Sequence, residues 1–166
     1  MSLDAARRSA CATELTNLFQ RDLTRLVQEL QAFPSEDTLW TKVPGISNAA
    51  GNLFLHLDGN MREYIGRQLG NVDYTRNRDL EFGSAPIPTA DLAQRIEGLP
   101  PLITRIVAGL SDGVMEANYP EVIGGLKIST RQFLIHLSGH LNYHLGQIDY
   151  LRRVLTGSGA VKFVQL

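Results

Sequence analysis

The chain has 166 residues, of which 43% are hydrophobic and 20% are charged, and its formal net charge at pH 7 is −1. This length suits one domain over residues 1–166, with a core large enough to be stable without disulfides. The near-zero net charge gives no electrostatic basis for binding nucleic acid or an anionic membrane.

The cysteine count and the hydropathy pattern bear on the compartment. Cys11 is the single cysteine, which excludes an internal disulfide and fits a reducing environment. The N-terminus lacks the apolar run of a signal peptide, and no apolar stretch approaches the roughly 18 residues that cross a bilayer. We therefore expect a cytoplasmic protein.

The first part of the chain carries apolar residues at three- and four-residue steps, which predicts two amphipathic helices. The first helix runs from about Asp4 to Ala32. The second begins near Ser47 or Asn48, which are both favourable N-caps, and it ends at Gly70.

The segment that follows, NVDYTRNRDLEFGSAPIP at 71–88, is longer than most connections in compact domains, and such loops are often functional. We expect it to be ordered, since Tyr74, Leu80 and Phe82 are apolar anchors. A charged run within it is interpreted as ion pairs that hold the loop, with recognition of a charged substrate as the alternative. The run consists of Arg76, Arg78, Asp79 and Glu81.

A third helix is predicted from Thr89, a plausible N-cap, to about Leu110, with a kink or break at Pro100 and Pro101. The stretch YPEVIGGLKIS at 119–129 then predicts two short extended pieces around its glycine pair.

The fourth predicted helix opens at Ser129, with Gln132 in capping-box spacing, and runs to about Thr156 before Gly157. Four helices, each apolar on one face, predict an all-α fold, a four-helix bundle with long connecting loops.

Three of the four histidines recur at four-residue steps in the last helix, as His136, His140 and His144. On a helix that turns about 100° per residue, His144 lies within the apolar stripe and His140 at its edge. His136 lies about 80° from His144, nearer solvent. Because imidazoles four residues apart can chelate one transition metal, His140 and His144 are the favoured pair. The pair His136–His140 stays open as an alternative.

A metal site usually takes three protein ligands, and the remaining histidine, His56, lies on the second helix. In a bundle, facing helices can bring such groups to one point. Asn60 and Gln147 each follow one of these histidines by about one turn, and either could orient a ligand or contact a substrate. For Gln147 a plain interhelical hydrogen bond is the alternative interpretation.

Three stretches of the sequence resemble the DinB-like (YfiT-like) metal-binding family. HLNYHLGQIDYL at 140–151 resembles the His-x-x-x-His-x-Gly-Gln-Ile motif of its last helix. NLFLHLDGNMREYI at 52–65 resembles its second-helix histidine segment, and TRNRDLEF at 75–82 resembles a stretch of one subgroup. The resemblance implies a four-helix bundle with a divalent metal, such as Zn, Ni, Fe or Mn, held by His56, His140 and His144. His136 matches no ligand position.

The resemblance also implies a function. Relatives include thiol S-transferases that use low-molecular-weight thiols and a thiol-dependent isomerase, and members are often dimers. The expectation is therefore a metal-dependent enzyme, a thiol-dependent transferase or a hydrolase, that acts on a small molecule as a homodimer.

Two alternatives remain at this stage, a non-catalytic metal- or ligand-binding bundle and a bundle in which the histidines only pack. Three neutral imidazoles leave the charge of a divalent ion uncompensated, which favours an anionic fourth ligand such as a thiolate. Leu141 stands where HExxH enzymes carry their glutamate, which argues against proteolysis. Imidazole ligands alone do not identify the metal.

Overall fold

A computed structural model describes residues 9–83 and 85–162, and this part of the chain is all-helical, without strands. In chain order the elements are α1 (Ala10–Gln31), α2 (Glu36–Trp40), α3 (Ala50–Met61), a π-helical segment (Arg62–Arg67), α4 (Gln68–Gly70), α5 (Arg78–Phe82), α6 (Thr89–Glu97), α7 (Leu99–Ala108), α8 (Asp112–Glu116) and α9 (Thr130–Thr156).

The predicted four-helix bundle is confirmed, and its long helices are α1, α3 with its π-helical and α4 continuation, α6 with α7, and α9. α1 packs against α7 and α9, and α3 packs against α9. Across the described ranges, the helices are all too short or too polar to cross a membrane.

The first two long helices begin later than predicted. The predicted start at Asp4 lies outside the described residues, and Ser9 is not helical. α3 begins at Ala50, so the prediction that Ser47 or Asn48 caps it is wrong. The capping bond comes instead from within the helix, where Asn52 Oδ1 accepts from the backbone N–H of Ala49 at 3.1 Å.

The third helix is broken, as predicted, but the break lies at Gly98. Pro100 and Pro101 lie in the first turn of α7, where a missing N–H leaves no helical hydrogen bond unmade. Thr89 is the first helical residue and not the N-cap, and its N–H and hydroxyl both donate to Glu36 Oε2 at 3.0 Å. α7 ends at Ala108, two residues before the predicted end.

The last helix has the predicted ends. Ser129 Oγ accepts from the backbone N–H of Gln132 at 3.1 Å, and Gly157 closes the helix with a positive φ of 67°. Before it, the two predicted extended pieces are reduced to isolated antiparallel bridges, Ile123 with Leu126 and Asn118 with Ser129.

α3 is the central helix, because every residue from Ala50 to Met61 is buried. Its buried residues include the polar Asn52, His56, Asp58 and Asn60, so this helix is covered on its polar side as well. Its outer side is covered by α5, which belongs to the long segment 71–88. Asn52 holds α5 against α3, since its Nδ2 donates to the carbonyl oxygens of Glu81 and Gly83 at 3.0 Å each.

Glu81 of α5 approaches α3 very closely at Gly59. A Cβ atom at this position would stand 2.3 Å from Glu81 Oε1, so a larger residue would have to displace the carboxylate from its bonds to Arg76 and His56. Of the three predicted anchors of the segment, Tyr74 and Leu80 are half-buried, whereas Phe82 keeps 40% of its surface exposed. The segment thus places a carboxylate against the middle of the central helix.

Candidate metal centre

The three histidines singled out in the sequence meet between α3 and α9. His56, His140 and His144 each offer a ring nitrogen, and these atoms all lie within 4.8 Å of one another. His56 Nε2 and His140 Nε2 are 3.0 Å apart. Two nitrogens that each lie about 2.0–2.1 Å from one ion, at angles between about 90° and 109°, are about 2.9–3.4 Å apart. The spacing of this pair therefore fits a shared metal ion.

The cluster lies at the edge of the core. His56 is buried, with 7% of its surface exposed, whereas His140 and His144 are half-buried on the side towards solvent. The cluster thus has a protein-covered side and an accessible side. Such an arrangement leaves room for a ligand that the chain does not supply, as catalytic metal sites do.

The second ring nitrogen of His56 is held by Glu81. His56 Nδ1 lies 3.0 Å from Glu81 Oε2, and Arg76 contacts the same carboxylate through Nε at 2.6 Å and Nη2 at 2.8 Å. Arg76 Nη2 is also 3.3 Å from His56 Nδ1, but a guanidinium only donates, so both groups donate to Glu81. This bond puts the proton of His56 on Nδ1 and leaves Nε2 free to bind a metal.

Gln147 does the same for His144. Its Oε1 lies 2.7 Å from His144 Nδ1, so the imidazole donates there and presents Nε2. A carboxylate or amide oxygen that holds the outer nitrogen is what metal-bound histidines usually have in proteins. Both outer contacts therefore fit metal ligation better than simple packing.

Burial keeps two of the three imidazoles neutral. Removal from water lowers the pKa of His140 to about 4, and neighbouring His144 and His56 act in the same direction. Burial also lowers the pKa of His144, against the opposing effect of its bond to Gln147. Because a metal binds the neutral imidazole, His140 and His144 are in their binding form at neutral pH.

The carboxylate beside the cluster is ionised. Burial alone would raise the pKa of Glu81, but hydrogen bonds from Arg76 and His56 outweigh it and hold the pKa below the usual range. The ion pair of Glu81 with Arg76 is neutral as a whole. A divalent ion among three neutral imidazoles would keep most of its charge, which favours an anionic ligand from outside the chain.

Two other predicted residues lie apart from these contacts. His136 is exposed, and it stacks on the rings of Phe133 and His140 at the outer side of α9. It is outside the cluster of three. Asn60 is buried, and its Oδ1 has no hydrogen-bond partner among the described residues. The hydrogen bond that orients His56 is formed by Glu81 Oε2 and not by Asn60.

The sequence interpretation missed the role of Glu81. The sequence predicts that Arg76 and Glu81 form ion pairs that hold the loop. In the structure the Glu81 carboxylate pairs with Arg76 and also bonds to His56. Gly59 was the available sign of this contact. Glycine inside a helix costs about 1 kcal/mol relative to alanine, and it often marks the close approach of another group.

The fold and the cluster together define an all-α bundle with three convergent histidines on two facing helices. The structure is similar to the crystal structure of a DinB-like protein from Bacillus cereus, with a TM-score of 0.68 and 14% sequence identity. The alignment covers 92% of this chain and 97% of that chain. At this identity the likeness establishes a shared fold, so the expected DinB-like bundle is confirmed at the level of the fold.

Comparisons of sequence add no further relative. No protein-family profile matches the chain, and no curated protein matches it.

Proposed function

We propose that the protein binds a divalent transition metal through His56, His140 and His144. The observation that carries this proposal is the convergence of three ring nitrogens, with the outer nitrogens of two rings held by Glu81 and Gln147. A purely structural role for the histidines would not require this orientation.

The metal is tested directly on protein purified without chelator and without a metal-affinity tag. We expect about one equivalent of metal in the wild type and none in His140→Ala. The matched control is His136→Ala, which removes a histidine one turn away on the same helix and should leave the stoichiometry unchanged. Wild-type protein that takes up no zinc, nickel, iron or manganese on reconstitution would refute the proposal.

We further propose that the metal serves an enzyme that transfers a low-molecular-weight thiol to an electrophile. A divalent ion in such a site supplies Lewis acidity, which favours the deprotonated form of a thiol. In the transfer, the thiol sulfur forms a bond to an electrophilic carbon, the leaving group departs with the bonding electron pair, and the thiol proton passes to solvent.

The thiol has to come from outside the chain. Cys11 is the single cysteine, and it lies in the first turn of α1. Its sulfur is not among the grouped ligand atoms of His56, His140 and His144.

The residues around the cluster would orient the ligands and not transfer protons. Glu81 is bound by both Arg76 and His56, so its oxygens are already engaged. Leu141, which follows the first histidine of the pair, is buried and carries no acid–base group. This favours a reaction in which a deprotonated thiol attacks over one that needs a protein base for water.

The transfer proposal is tested with cobalt as a spectroscopic reporter in the wild type and in His144→Ala. Cysteine, glutathione and other cellular thiols are titrated into the metal-loaded protein, and a thiolate–cobalt charge-transfer band is expected in the wild type only. Turnover of an electrophile should follow the same pattern. If no thiol changes the spectrum, the transferase proposal fails, and a non-catalytic metal-binding bundle becomes the better explanation.

A further inference from the structure

A cavity of about 510 Å³ lies between the segment 43–48, α3 and α9. This volume is within the range of about 300–1,000 Å³ that holds small organic ligands in proteins. Its walls are mainly aliphatic and aromatic, and none of the residues that line it carries a charge. The apolar part of the lining consists of Val43, Ile46, Leu53, Tyr150, Leu151 and Val154.

Gln147 connects this cavity to the histidine cluster. Its side chain lines the cavity, and its Oε1 accepts from His144 Nδ1. One residue thus contacts both a candidate metal ligand and the cavity. A molecule in the cavity would be one side chain away from the cluster.

Gln147 also has a hydrogen-bond donor that is unused in the described part of the chain. The amide has two N–H groups on Nε2, and within the described ranges these donate to no residue. Because Oε1 is fixed by His144, the orientation of the amide is set and its N–H groups remain for another acceptor. Burial of a charged ligand against such uncharged walls would be costly, whereas an apolar ligand would be stabilised.

We propose that this cavity binds a neutral and largely apolar molecule that accepts a hydrogen bond from Gln147 Nε2 through a carbonyl or similar group. Such a molecule would lie on the Nδ1 side of His144, away from the nitrogen that faces the cluster, so this site is separate from the proposed metal chemistry. The binding itself needs no metal, so it can be measured separately.

A second copy of this chain is the rival occupant. Ile46, Tyr150 and Val154 are exposed by 48%, 68% and 66%, and a dimer could cover them. The small molecule is favoured because the lining combines a concave volume with an oriented donor next to the cluster. A dimer interface would need no such donor at this place.

The test uses metal-free protein and the neutral fluorescent ketone prodan, whose emission shifts to the blue in apolar surroundings. We expect saturable binding, with displacement by acetylnaphthalene and weaker displacement by ethylnaphthalene, which has a similar size and no acceptor. One net hydrogen bond corresponds to a preference of about 3–10-fold for the ketone. Absence of saturable binding refutes the proposal.

Two variants locate the site. Val154→Lys brings a charge to an exposed position on the cavity wall, and prodan affinity should fall by about tenfold or more. Gln147→Leu should keep the apolar binding and remove the preference for acetylnaphthalene over ethylnaphthalene. The matched control is Ile135→Lys, which changes an exposed apolar residue of the same helix outside the cavity and should have no effect.

Three results would overturn the assignment. Prodan affinity that is unchanged in Val154→Lys shows that the probe binds elsewhere. An unchanged preference for the ketone in Gln147→Leu shows that Gln147 does not donate a hydrogen bond to the ligand. A dimer in the wild type that Val154→Lys converts to a monomer, seen by sedimentation, makes this face an interface. The variant His140→Ala should still bind prodan, so a failure of metal binding is distinguishable from a failure of the cavity proposal.

Discussion

Replacement of Glu81 by Gln tests whether the carboxylate beside the cluster serves the metal or only the loop. Gln keeps an oxygen that can accept from His56 Nδ1, but it removes the charge that holds Arg76. Carboxylates that hold a metal-bound histidine typically raise metal affinity 10–100-fold. Because the acceptor is retained, we expect the lower figure, a loss of about tenfold or about 1.4 kcal/mol.

The same change should also destabilise the metal-free fold. Glu81 is 3% exposed and Arg76 10%, so the substitution leaves a largely buried guanidinium without its carboxylate. Breaking such a pair costs about 3–5 kcal/mol in other proteins. Because the amide oxygen of Gln can still accept from Arg76, we expect a loss of about 3 kcal/mol in the free energy of unfolding. Urea denaturation of metal-free protein measures the loss, and competition with a chromophoric chelator measures the metal affinity.

Glu29→Gln is the matched control, because it breaks an equally buried pair away from the cluster. Glu29 Oε2 lies 2.6 Å from Arg152 Nε, with side-chain exposures of 0% and 2%. Arg152 follows His144 by eight residues, a rise of about 12 Å along α9. Stability should therefore fall while metal affinity stays the same. The reasoning about Glu81 is refuted if Glu81→Gln binds metal as tightly as the wild type, or if both variants lose affinity equally.

Three further predictions follow from the same contacts. In a chelator competition, His136→Ala should bind zinc as tightly as the wild type, whereas loss of binding with the fold intact would make His136–His140 the ligand pair. Gly59→Ala should lower the free energy of unfolding by about 1–3 kcal/mol because its Cβ meets Glu81, and Gly139→Ala, whose Cβ meets nothing within 4 Å, should not lower it. Hydrogen bonds from Arg76 and His56 outweigh the effect of burial and hold the pKa of Glu81 below the ordinary value for a glutamate, so its contribution to stability is complete above about pH 4.3 and is lost as the pH falls below that value. Urea denaturation against pH should show a smaller acid loss in Glu81→Gln than in the wild type.

The sequence was sufficient for the parts of the structure that depend on local periodicity. The four long helices follow from apolar residues at helical spacing, and the ends of α9 follow from Ser129 and Gly157. His140 and His144 share a helix face because they are four residues apart. Their meeting with His56 needed the bundle as well, since that contact spans 84 positions of the chain.

Contacts between distant segments could not be inferred in this way. Glu81 and His56 are 25 positions apart and belong to two different helices, α5 and α3, so no period connects them. The buried pair of Glu29 with Arg152 joins two helices across 123 positions. The start of α3 was missed for a different and local reason, because Asn52, three residues after Ala49 and inside the helix, supplies the capping bond expected from Ser47 or Asn48.

The enclosure of α3 determines where this protein can accept change. Each residue from Ala50 to Met61 is buried, so a replacement there alters either the core volume or the partner of a buried polar group. On α9, by contrast, a Cβ added at Gly139 or Gly146 would meet open space. A mutant library aimed at new ligands should therefore vary the exposed positions of α9 and the segment 43–48, keep His140 and His144, and hold α3 constant, because replacements in α3 would destabilise the fold.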